Sequence, residues 1–596
     1  MHRYDQDPNH DHNDNSNRNL DSGHRVAAVP PQAYACTGGS CEVAPRGLSR
    51  RALVQGTALG AAALVFGQVA GRGASAQDNG GMIPRLNGGG MGGGNNPQAN
   101  FSPYNPNQLT GTGNLLFEGL YAYDTYACKE VPWLATAYEW KDAQTLTFTL
   151  RDGVTWNDGK PFTVDDVVFT FDMLKKNPAL DTAGATGTLD TVEGEGNTVT
   201  FTFTEPAVPV FKVLAYDTKV VPKHIWEGQS DPVTFVNAEN PVGTGPFVLS
   251  SFNSESLVWK RNESYWQADK IKIQEIGYSK PSEGQADQLR LANGEYDFNA
   301  MFIPNVEQTS VKRDPDHNHY WYPSGGAISL SFNLTKAPFN DVNFRKAVAY
   351  GINRDEIAQK AQLGYVNTAS QTGLVIPGQD GWLNPDIPDQ GKIPYDKDQA
   401  AKILSDAGYT KDGDTLKTPD GNEVKFVFKV EGGWTDWVSA SKIVQNNLKD
   451  LGMNVEVQTP SPDILSDQKK KGDFDLVFQV HGGDCSMYRN FFDPLSSTRS
   501  APIGEMAQSN FERWEDEKTD ELLKQFASAQ TEDEQKKIAS QLQTIFYENF
   551  PTIPLWYGAI WFQYRTQNAV GWPNQDDPYC KPGDWPLILT HLQPPS

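Results

Sequence analysis

The second half of the chain alternates between two kinds of segment, and this alternation constrains the fold more than any other feature. Apolar residues recur at helical spacing over residues 340–352, 394–409, 436–452, 463–472 and 531–550. Short stretches rich in Val, Phe and Ile lie between or after them, at 423–431, 453–458, 473–480 and 551–557. Strands that alternate with helices at this spacing are typical of a mainly parallel sheet covered by helices. The pattern therefore predicts an α/β fold for this half.

The first half has a different rhythm, in which strands and hairpins predominate. Residues 145–150, TLTFTL, alternate polar and apolar side chains as a half-buried strand does. Residues 197–205 repeat this pattern, and residues 246–262 predict two strands joined by a turn. Residues 163–166, TVDD, predict the start of a helix. A chain of 596 residues exceeds a single core, so we expect two lobes of different build.

Near the N-terminus, residues 49–76 have the features of an export signal. Arg50 and Arg51 precede an uncharged, weakly apolar stretch, and small residues follow it up to Ala76. These features predict a twin-arginine signal that is cleaved after Ala76, with an uncleaved membrane anchor as the alternative. Residues 1–48 are too polar to form a core and predict a disordered leader. The glycine-rich residues 77–99 predict a flexible linker before the folded body.

The charge and the cysteines narrow the class of protein. With 51 basic against 74 acidic residues, the chain has a formal net charge of −23. This excess argues against nucleic acid or an anionic membrane surface as a partner. After removal of the signal, Cys128, Cys485 and Cys580 remain. An odd count in an exported chain allows one disulfide and one free thiol, and the sequence leaves the pairing open.

The body of the sequence lacks the common motifs of catalysis. It contains no HExxH, Walker A, GxSxG or CxxC motif. A pair of carboxylates for glycoside cleavage needs no local motif, so a secreted hydrolase is the remote alternative to a binding protein. Cys36 and Cys41 in the leader have a poor spacing for zinc. We therefore expect no enzyme, no cofactor and no metal site.

Five stretches together carry a resemblance to a known family. They are LRDGVTWNDGKPFTVDDVVFTFD (150–172), NPVGTGPFVL (240–249), FNLTKAPFNDVNFRKAVAYGINRDEI (332–357), SDAGY (405–409) and ENFPTIPLWY (548–557). In this order and spacing they resemble the extracytoplasmic solute-binding proteins of ABC importers that take up peptides, nickel and oligosaccharides. The resemblance implies a two-lobed periplasmic-binding-protein (Venus-flytrap) fold that encloses its ligand by a hinge motion.

The resemblance also implies how the chain is divided and where it works. Residues 100–336 are expected to form the first lobe, with an extra subdomain at about 135–237. Residues 337–555 are expected to form the second lobe, and residues 556–596 to return to the first. The protein is then expected to be a monomer in the periplasm or at the outer face of the cytoplasmic membrane. Its expected partners are the membrane permease subunits of an ABC importer.

One candidate binding residue points to a peptide. The family's peptide binders place an acidic residue, which holds the amino terminus of the peptide, in the stretch that corresponds to residues 479–494. Asp484 occupies this stretch and is able to bond an ammonium group, although the neighbouring Trp and Tyr of the family pattern are missing. A turn at Gly482-Gly483 is the competing explanation for this aspartate. Nickel, suggested by His317 and His319 alone, is a weaker alternative.

Other candidate residues point to a sugar. GGWTDWVSAS (432–441), QSNFERW (508–514) and AVGWPNQDDPY (569–579) resemble the branch of the family that binds cello-oligosaccharides and related β-linked sugars. This resemblance implies that pyranose rings lie on four tryptophans and that an aspartate accepts hydrogen bonds from hydroxyls: Trp434, Trp437, Trp514, Trp572 and Asp436. For each tryptophan, burial in the core is the competing interpretation, and for Asp436 it is a cap at the start of the following helix. We expect a short oligosaccharide rather than an oligopeptide.

Overall fold

The computed structural model describes residues 81–93, 96–280 and 285–596, which belong to one compact unit running from Ala76 to Ser596. The predicted leader and export signal, residues 1–76, lie outside the described residues. Within the unit, two large sheets each have their own hydrophobic core. The predicted two-lobed α/β architecture is confirmed.

The first lobe is built on a seven-stranded sheet with the order β12-β20-β11-β1-β10-β9-β8, numbered along the chain. Its strands are β1 (Leu86–Gly89), β8 (Phe247–Phe252), β9 (Ser256–Arg261), β10 (Glu275–Ser279), β11 (Phe298–Asn299), β12 (Asn318–Tyr320) and β20 (Gln563–Arg565). Its helices are α3 (Gln285–Ala292), α4 (Val306–Thr309) and α13 (Trp585–His591). The predicted hairpin of residues 246–262 is the pair β8–β9.

The prediction of a flexible glycine-rich linker over residues 77–99 is wrong for its described part. Strand β1 lies inside the seven-stranded sheet and pairs in parallel with β10 and β11. Ile83, Leu86 and Met91 are fully buried in the core of the first lobe. Glycine is required here for space, because a Cβ on Gly88 would lie 2.5 Å from the ring of Phe298. The glycines that suggest a linker thus permit close packing.

The extra subdomain of the first lobe is a four-stranded antiparallel sheet with the order β4-β5-β7-β6. Its strands are β4 (Ala135–Asp142), β5 (Thr145–Leu150), β6 (Leu189–Glu195) and β7 (Thr198–Phe203), preceded by the hairpin β2 (Tyr121–Asp124) and β3 (Lys129–Pro132). The helices here are α1 (Val164–Lys176) and α2 (Lys223–Trp226). The predicted start of α1 is confirmed, because the Asp166 carboxylate accepts a hydrogen bond from the Thr163 backbone N–H at 2.9 Å.

The second lobe contains a five-stranded sheet with the order β17-β16-β18-β13-β19. The strands are β13 (Ser324–Phe332), β16 (Lys425–Lys429), β17 (Asn454–Gln458), β18 (Leu476–His481) and β19 (Thr552–Ala559), and a separate hairpin joins β14 (Thr410–Asp412) to β15 (Thr415–Lys417). Strands β16, β17 and β18, which alternate with helices in the sequence, run parallel as predicted. Strand β13 is antiparallel to both β18 and β19, so the sheet as a whole is mixed.

Helices of the second lobe cover this sheet and extend from it. They are α5 (Val342–Gly351), α6 (Arg354–Glu356), α7 (Lys397–Asp406), α8 (Thr435–Asp450), α9 (Pro462–Lys471), α10 (Met487–Leu495), α11 (Glu517–Ser528) and α12 (Glu532–Asn549). In α5, Phe344, Ala347 and Val348 are buried in the lobe core. Arg345 donates to the carbonyls of Phe339 and Phe550 at 2.7 and 2.8 Å, so this charged residue serves the scaffold.

Strands β13 and β19 carry the chain between the two lobes. Both pair within the second sheet, and Ile328 and Trp556 on them belong to the core of the second lobe. The crossings therefore lie near residues 324 and 559, at the outer ends of these strands. The boundaries expected at 337 and 555 lie inside the second lobe, because the crossing strands are themselves part of its sheet.

Candidate ligand-binding cleft

Two cavities lie in the cleft between the lobes, on either side of a group of aromatic rings. The first, the tryptophan cavity, has a volume of about 830 Å³. The second, the tyrosine cavity, has a volume of about 1030 Å³. Tyr322 and Tyr365 line the tyrosine cavity, and their ring centroids lie 4.8 and 6.3 Å from that of Trp561, which lines the tryptophan cavity. The two spaces therefore approach each other at these three rings.

The tryptophan cavity is built from both lobes and from the crossing strands. Its lining includes Met301, Phe302 and Pro304 from the first lobe. The crossing region contributes Gly326, Trp556, Gly558 and Trp561, and the second lobe contributes Gln362, Trp434, Asp436 and Trp437. The tryptophans of the second lobe lie where the loop after parallel strand β16 enters α8. The carboxyl ends of parallel strands are where ligands bind in open α/β sheets.

Trp434 offers an open aromatic face in this cavity. Its side chain is 45% exposed, and it occupies the residue just before α8. Its ring contacts Trp437 edge to face, with centroids 4.5 Å apart. Trp437 in turn packs against Phe478 at 5.6 Å, which anchors the pair to the core of the second lobe. An exposed tryptophan held in one orientation is suited to stacking on a flat apolar surface of a ligand.

Asp436 adds a polar group beside these rings. It is 9% exposed, and its Oδ2 accepts a hydrogen bond from Gln362 Nε2 at 3.3 Å. Burial raises the pKa of this carboxyl, against the effect of the hydrogen bonds that it accepts. Asp436 and Gln362 both line the tryptophan cavity. Together they supply acceptor and donor atoms for hydroxyl groups at the edge of an apolar site.

The tyrosine cavity has a more polar lining. It is bounded by rings and polar side chains from both lobes, including Tyr126, Trp321, Tyr322, Tyr365, Tyr564, Asn318, His319, Asn367, Gln379, Asn574 and Lys581. The lobes touch at its boundary, where the Val306 backbone N–H donates to Tyr365 Oη at 3.0 Å. Burial lowers the pKa of Lys581, although nearby carboxylates, including Asp584 and Asp484, oppose this effect.

Asp484 lies next to the tyrosine cavity and already has charged and polar partners. Its Oδ2 is 3.5 Å from the Lys212 Nζ of the first lobe. Its Oδ1 accepts a hydrogen bond from the Ser486 backbone N–H at 2.8 Å. Lys212 is held in turn by Asp217, at 3.0 Å. The negative charge that the sequence offers for a peptide ammonium is therefore compensated by a lysine of the protein.

The other two predicted tryptophans lie away from both cavities. Trp514 is partly buried against the core formed by α10, α11 and α12. Trp572 is 2% exposed in the core of the first lobe, and its Nε1–H donates to the Arg565 and Ala569 carbonyls at 3.0 Å. The structure thus brings together Trp434, Asp436 and Trp437 and leaves these two apart.

Several cleft residues were missed by the sequence reasoning. They are Phe302, Trp321, Tyr322, Tyr365 and Trp561, which come from distant parts of the chain. The one local signal is the position of Trp561, two residues after the crossing strand β19. The chain passes through the cleft where it crosses from one lobe to the other. A residue just beyond a crossing strand therefore lies in the cleft, and this rule would have predicted Trp561 as a cleft residue.

Within the described ranges, no group of three His, Cys, Asp or Glu side chains is arranged to hold a metal ion. His319, considered for nickel, stacks on the Tyr564 ring with centroids 5.4 Å apart and lies 3.2 Å from Thr566 Oγ1. Among the same described residues, no helix has both the length and the apolar character needed to span a membrane.

Comparisons with known proteins agree with this architecture. The family model described as bacterial extracellular solute-binding proteins, family 5 middle, matches residues 129–502. The dipeptide-binding protein of Escherichia coli (strain K12) is 25% identical over 479 residues, 76% of this chain and 85% of that protein. The periplasmic oligopeptide-binding protein of Salmonella typhimurium is 26% identical over 485 residues, 74% of this chain and 84% of that protein.

A solved structure is similar over most of the chain. It is a periplasmic oligopeptide-binding protein of an oligopeptide ABC transporter from Thermotoga maritima, with mannohexaose bound. The two share a TM-score of 0.75 and 28% identity, over 86% of this chain and 99% of that one. The family model spans more than half of the sequence. The chain therefore belongs to family 5 of the bacterial extracellular solute-binding proteins, the receptors that capture a solute between two lobes for an ABC importer.

Proposed function

We propose that the solute is a short oligosaccharide, bound in the cleft with a pyranose face on Trp434. The observation that carries this proposal is the exposed Trp434 ring, braced by Trp437 inside a cavity that both lobes line. The apolar faces of pyranose rings stack on such surfaces, while Asp436 and Gln362 bond the hydroxyls at their edges. The tyrosine cavity extends the site with further rings and amide groups, which suits a ligand of several sugar units.

The competing candidate is an oligopeptide, as the names of the E. coli and Salmonella relatives suggest. In this protein a peptide ammonium would have to displace Lys212 from Asp484, an exchange of one cation for another with no gain in charge pairing. The Thermotoga protein was solved with mannohexaose although its name refers to oligopeptides, which supports a sugar in a cleft of this build. We favour the oligosaccharide for these reasons.

We expect ligand screening of residues 77–596 to distinguish the two classes. A ligand present at about 100 times its dissociation constant stabilises the folded state by about 2.7 kcal/mol. Cello- and manno-oligosaccharides should raise the thermal midpoint, and di- to pentapeptides should not. The bound sugar should be recovered unchanged after prolonged incubation, because the protein acts as a receptor without turnover. Stabilisation by peptides alone, or cleavage of the bound sugar, would contradict the proposal.

We also propose that the protein is exported by the twin-arginine route and acts as a monomer outside the cytoplasm. Arg50 and Arg51 before an uncharged stretch support this route. Replacing both arginines by lysine should leave the unprocessed precursor inside the cell, whereas the wild type should accumulate outside as a chain that begins at Gln77. Fractionation and intact-mass measurement check this prediction. Unchanged export of the double variant would rule out the twin-arginine route.

A further inference from the structure

A disulfide joins the two lobes at a point outside the crossing strands. Cys128 lies between β2 and β3 of the first lobe, and Cys485 follows β18 of the second. Their Cα atoms are 5.1 Å apart, although 357 positions separate them in the sequence. In the part of the chain that the structure describes, this bond is a third covalent connection between lobes that otherwise communicate through β13 and β19.

Each cysteine lies on a loop that is held firmly in its own lobe. On the first-lobe side, the backbone N–H of Thr125 donates to the Asp584 carboxylate at 2.9 Å. On the second-lobe side, the backbone N–H of Asp484 donates to Asn490 Oδ1 at 3.1 Å. The Lys212–Asp484 ion pair crosses between the lobes next to the disulfide. The disulfide therefore links two loops that are each hydrogen-bonded within their own lobe. At this point neither lobe can move without moving the other.

The disulfide lies beside the crossing strand and at the wall of the tyrosine cavity. Gly483 packs directly on β13, since a Cβ at Gly483 would lie 2.7 Å from the Gly326 backbone nitrogen. Cys128, Gly483 and Ser324 all line the tyrosine cavity. The crossing strands also line the tryptophan cavity, through Gly326 and Gly558, so the disulfide is the connection that distinguishes the tyrosine cavity.

At the tryptophan cavity the lobes are joined, within the described part of the chain, by the crossing strands alone. Among the described residues, no covalent bond other than the crossing strands links Met301 and Phe302 of the first lobe to Trp434 of the second. A disulfide keeps its two Cα atoms within about 4.4–6.8 Å of each other. A hinge motion of the lobes must therefore pivot on the crossing strands and close to Cys128–Cys485, and the walls separate most where neither connection holds them, at Trp434 and the facing Met301 and Phe302.

We propose that the Cys128–Cys485 disulfide sets the hinge axis, so that the lobes separate at the tryptophan cavity while the disulfide wall of the tyrosine cavity stays closed. The ligand then enters past Trp434. This inference rests on the proposed function only in treating the cleft as the ligand site. The disulfide thus limits the opening of the lobes to the one motion that exposes the tryptophans.

The test compares the ligand-free wild type with the double variant Cys128→Ser/Cys485→Ser. Cys580→Ser is the matched control, because Cys580 is a buried free thiol. Small-angle scattering should give the double variant a larger radius of gyration than wild type and control, since its lobes also separate at the tyrosine cavity. Equal radii of the three proteins would overturn the proposal. The thermal midpoint does not discriminate, because losing a bond that closes so long a loop destabilises the fold in either case.

Amide hydrogen exchange locates the motion in the same ligand-free samples. Exchange at residues 318–322, beside the tyrosine cavity, should accelerate several-fold in the double variant, while exchange at residues 433–437 should keep its wild-type rate. Acceleration at both places, or only at 433–437, would refute the assigned axis. If the double variant does not fold, the wild type is measured in excess dithiothreitol, which reduces the S–S bond to two thiols and is itself oxidised to a cyclic disulfide. No sugar is present, so a failed oligosaccharide assignment leaves this test intact.

Discussion

Replacing Trp434 by alanine is expected to weaken oligosaccharide binding roughly thirtyfold, with little loss of stability. Truncating an aromatic residue that anchors a ligand costs about 2 kcal/mol of binding free energy, and each 1.4 kcal/mol is about tenfold in affinity. The ring is 45% exposed and makes one close ring contact, with Trp437. Loss of such a pair removes about 0.5–1.5 kcal/mol from the free energy of unfolding. Calorimetric titration and urea unfolding of the same samples measure the two effects.

Trp572→Ala is expected to give the opposite result, a large loss of stability. This ring is 2% exposed and packs against Phe562 and Tyr564, with centroids about 6 Å away. Deleting a buried tryptophan costs about 3–5 kcal/mol of unfolding free energy through lost burial and the cavity left behind. Trp514→Ala, away from both cavities, should leave the affinity unchanged. A Trp434→Ala protein that loses several kcal/mol of stability and keeps its affinity would place this ring in the scaffold instead of the binding site.

The stability of the protein is expected to fall by about 3 kcal/mol between pH 4.5 and 7 through one buried group, Glu118. Burial raises the pKa of this carboxyl from 4.5 to about 7, although hydrogen bonds from residues such as Tyr265 and Trp133 oppose the shift. Between these two pH values the folded state holds a proton that the unfolded state has lost. Stability therefore decreases as pH rises, by about 1.4 kcal/mol for each unit of pKa difference. Below pH 4.5 the carboxyl is protonated in both states, so it no longer makes the free energy of unfolding depend on pH.

The variant Glu118→Gln isolates this effect, because its side chain stays neutral at every pH. Urea unfolding between pH 4 and 8 gives the free energies of unfolding of wild type and variant. The difference between them should shift by about 3 kcal/mol in favour of the variant as pH rises. Glu139→Gln is the control, since 63% of the Glu139 side chain is exposed and the change should leave the pH profile of the wild type unaltered. Parallel curves for Glu118→Gln and wild type would show that Glu118 is ionised at the same pH in both states.

Elements with a strong local pattern were predictable. The apolar spacing of residues 340–352 predicted α5, and Phe344 and Val348 are buried as that spacing requires. Alternation in TLTFTL predicted β5, and its Leu146 and Phe148 face the subdomain core. These predictions succeeded because periodicity records which side of an element is covered, whatever covers it.

Strand β1 was missed because its signal is not local. A strand rich in glycine reads as a flexible segment, since glycine has little intrinsic preference for strands. Here the glycines accommodate the ring of Phe298, which lies about 200 residues further along the chain. The apolar residues around them, Ile83, Leu86 and Met91, were the available indication that this stretch is buried.

By itself, the sequence determined the family, the two-lobed plan and most helices and strands, because motifs and periodicity are properties of neighbouring residues. The tertiary structure alone decided that Cys128 pairs with Cys485 and that Asp484 forms an ion pair with Lys212. It also decided that Trp434 faces a cavity while Trp572 is buried. These outcomes depend on contacts between residues far apart in the chain. Identical side chains acquire different roles there, because packing across the lobes determines which of their surfaces remain free for a ligand.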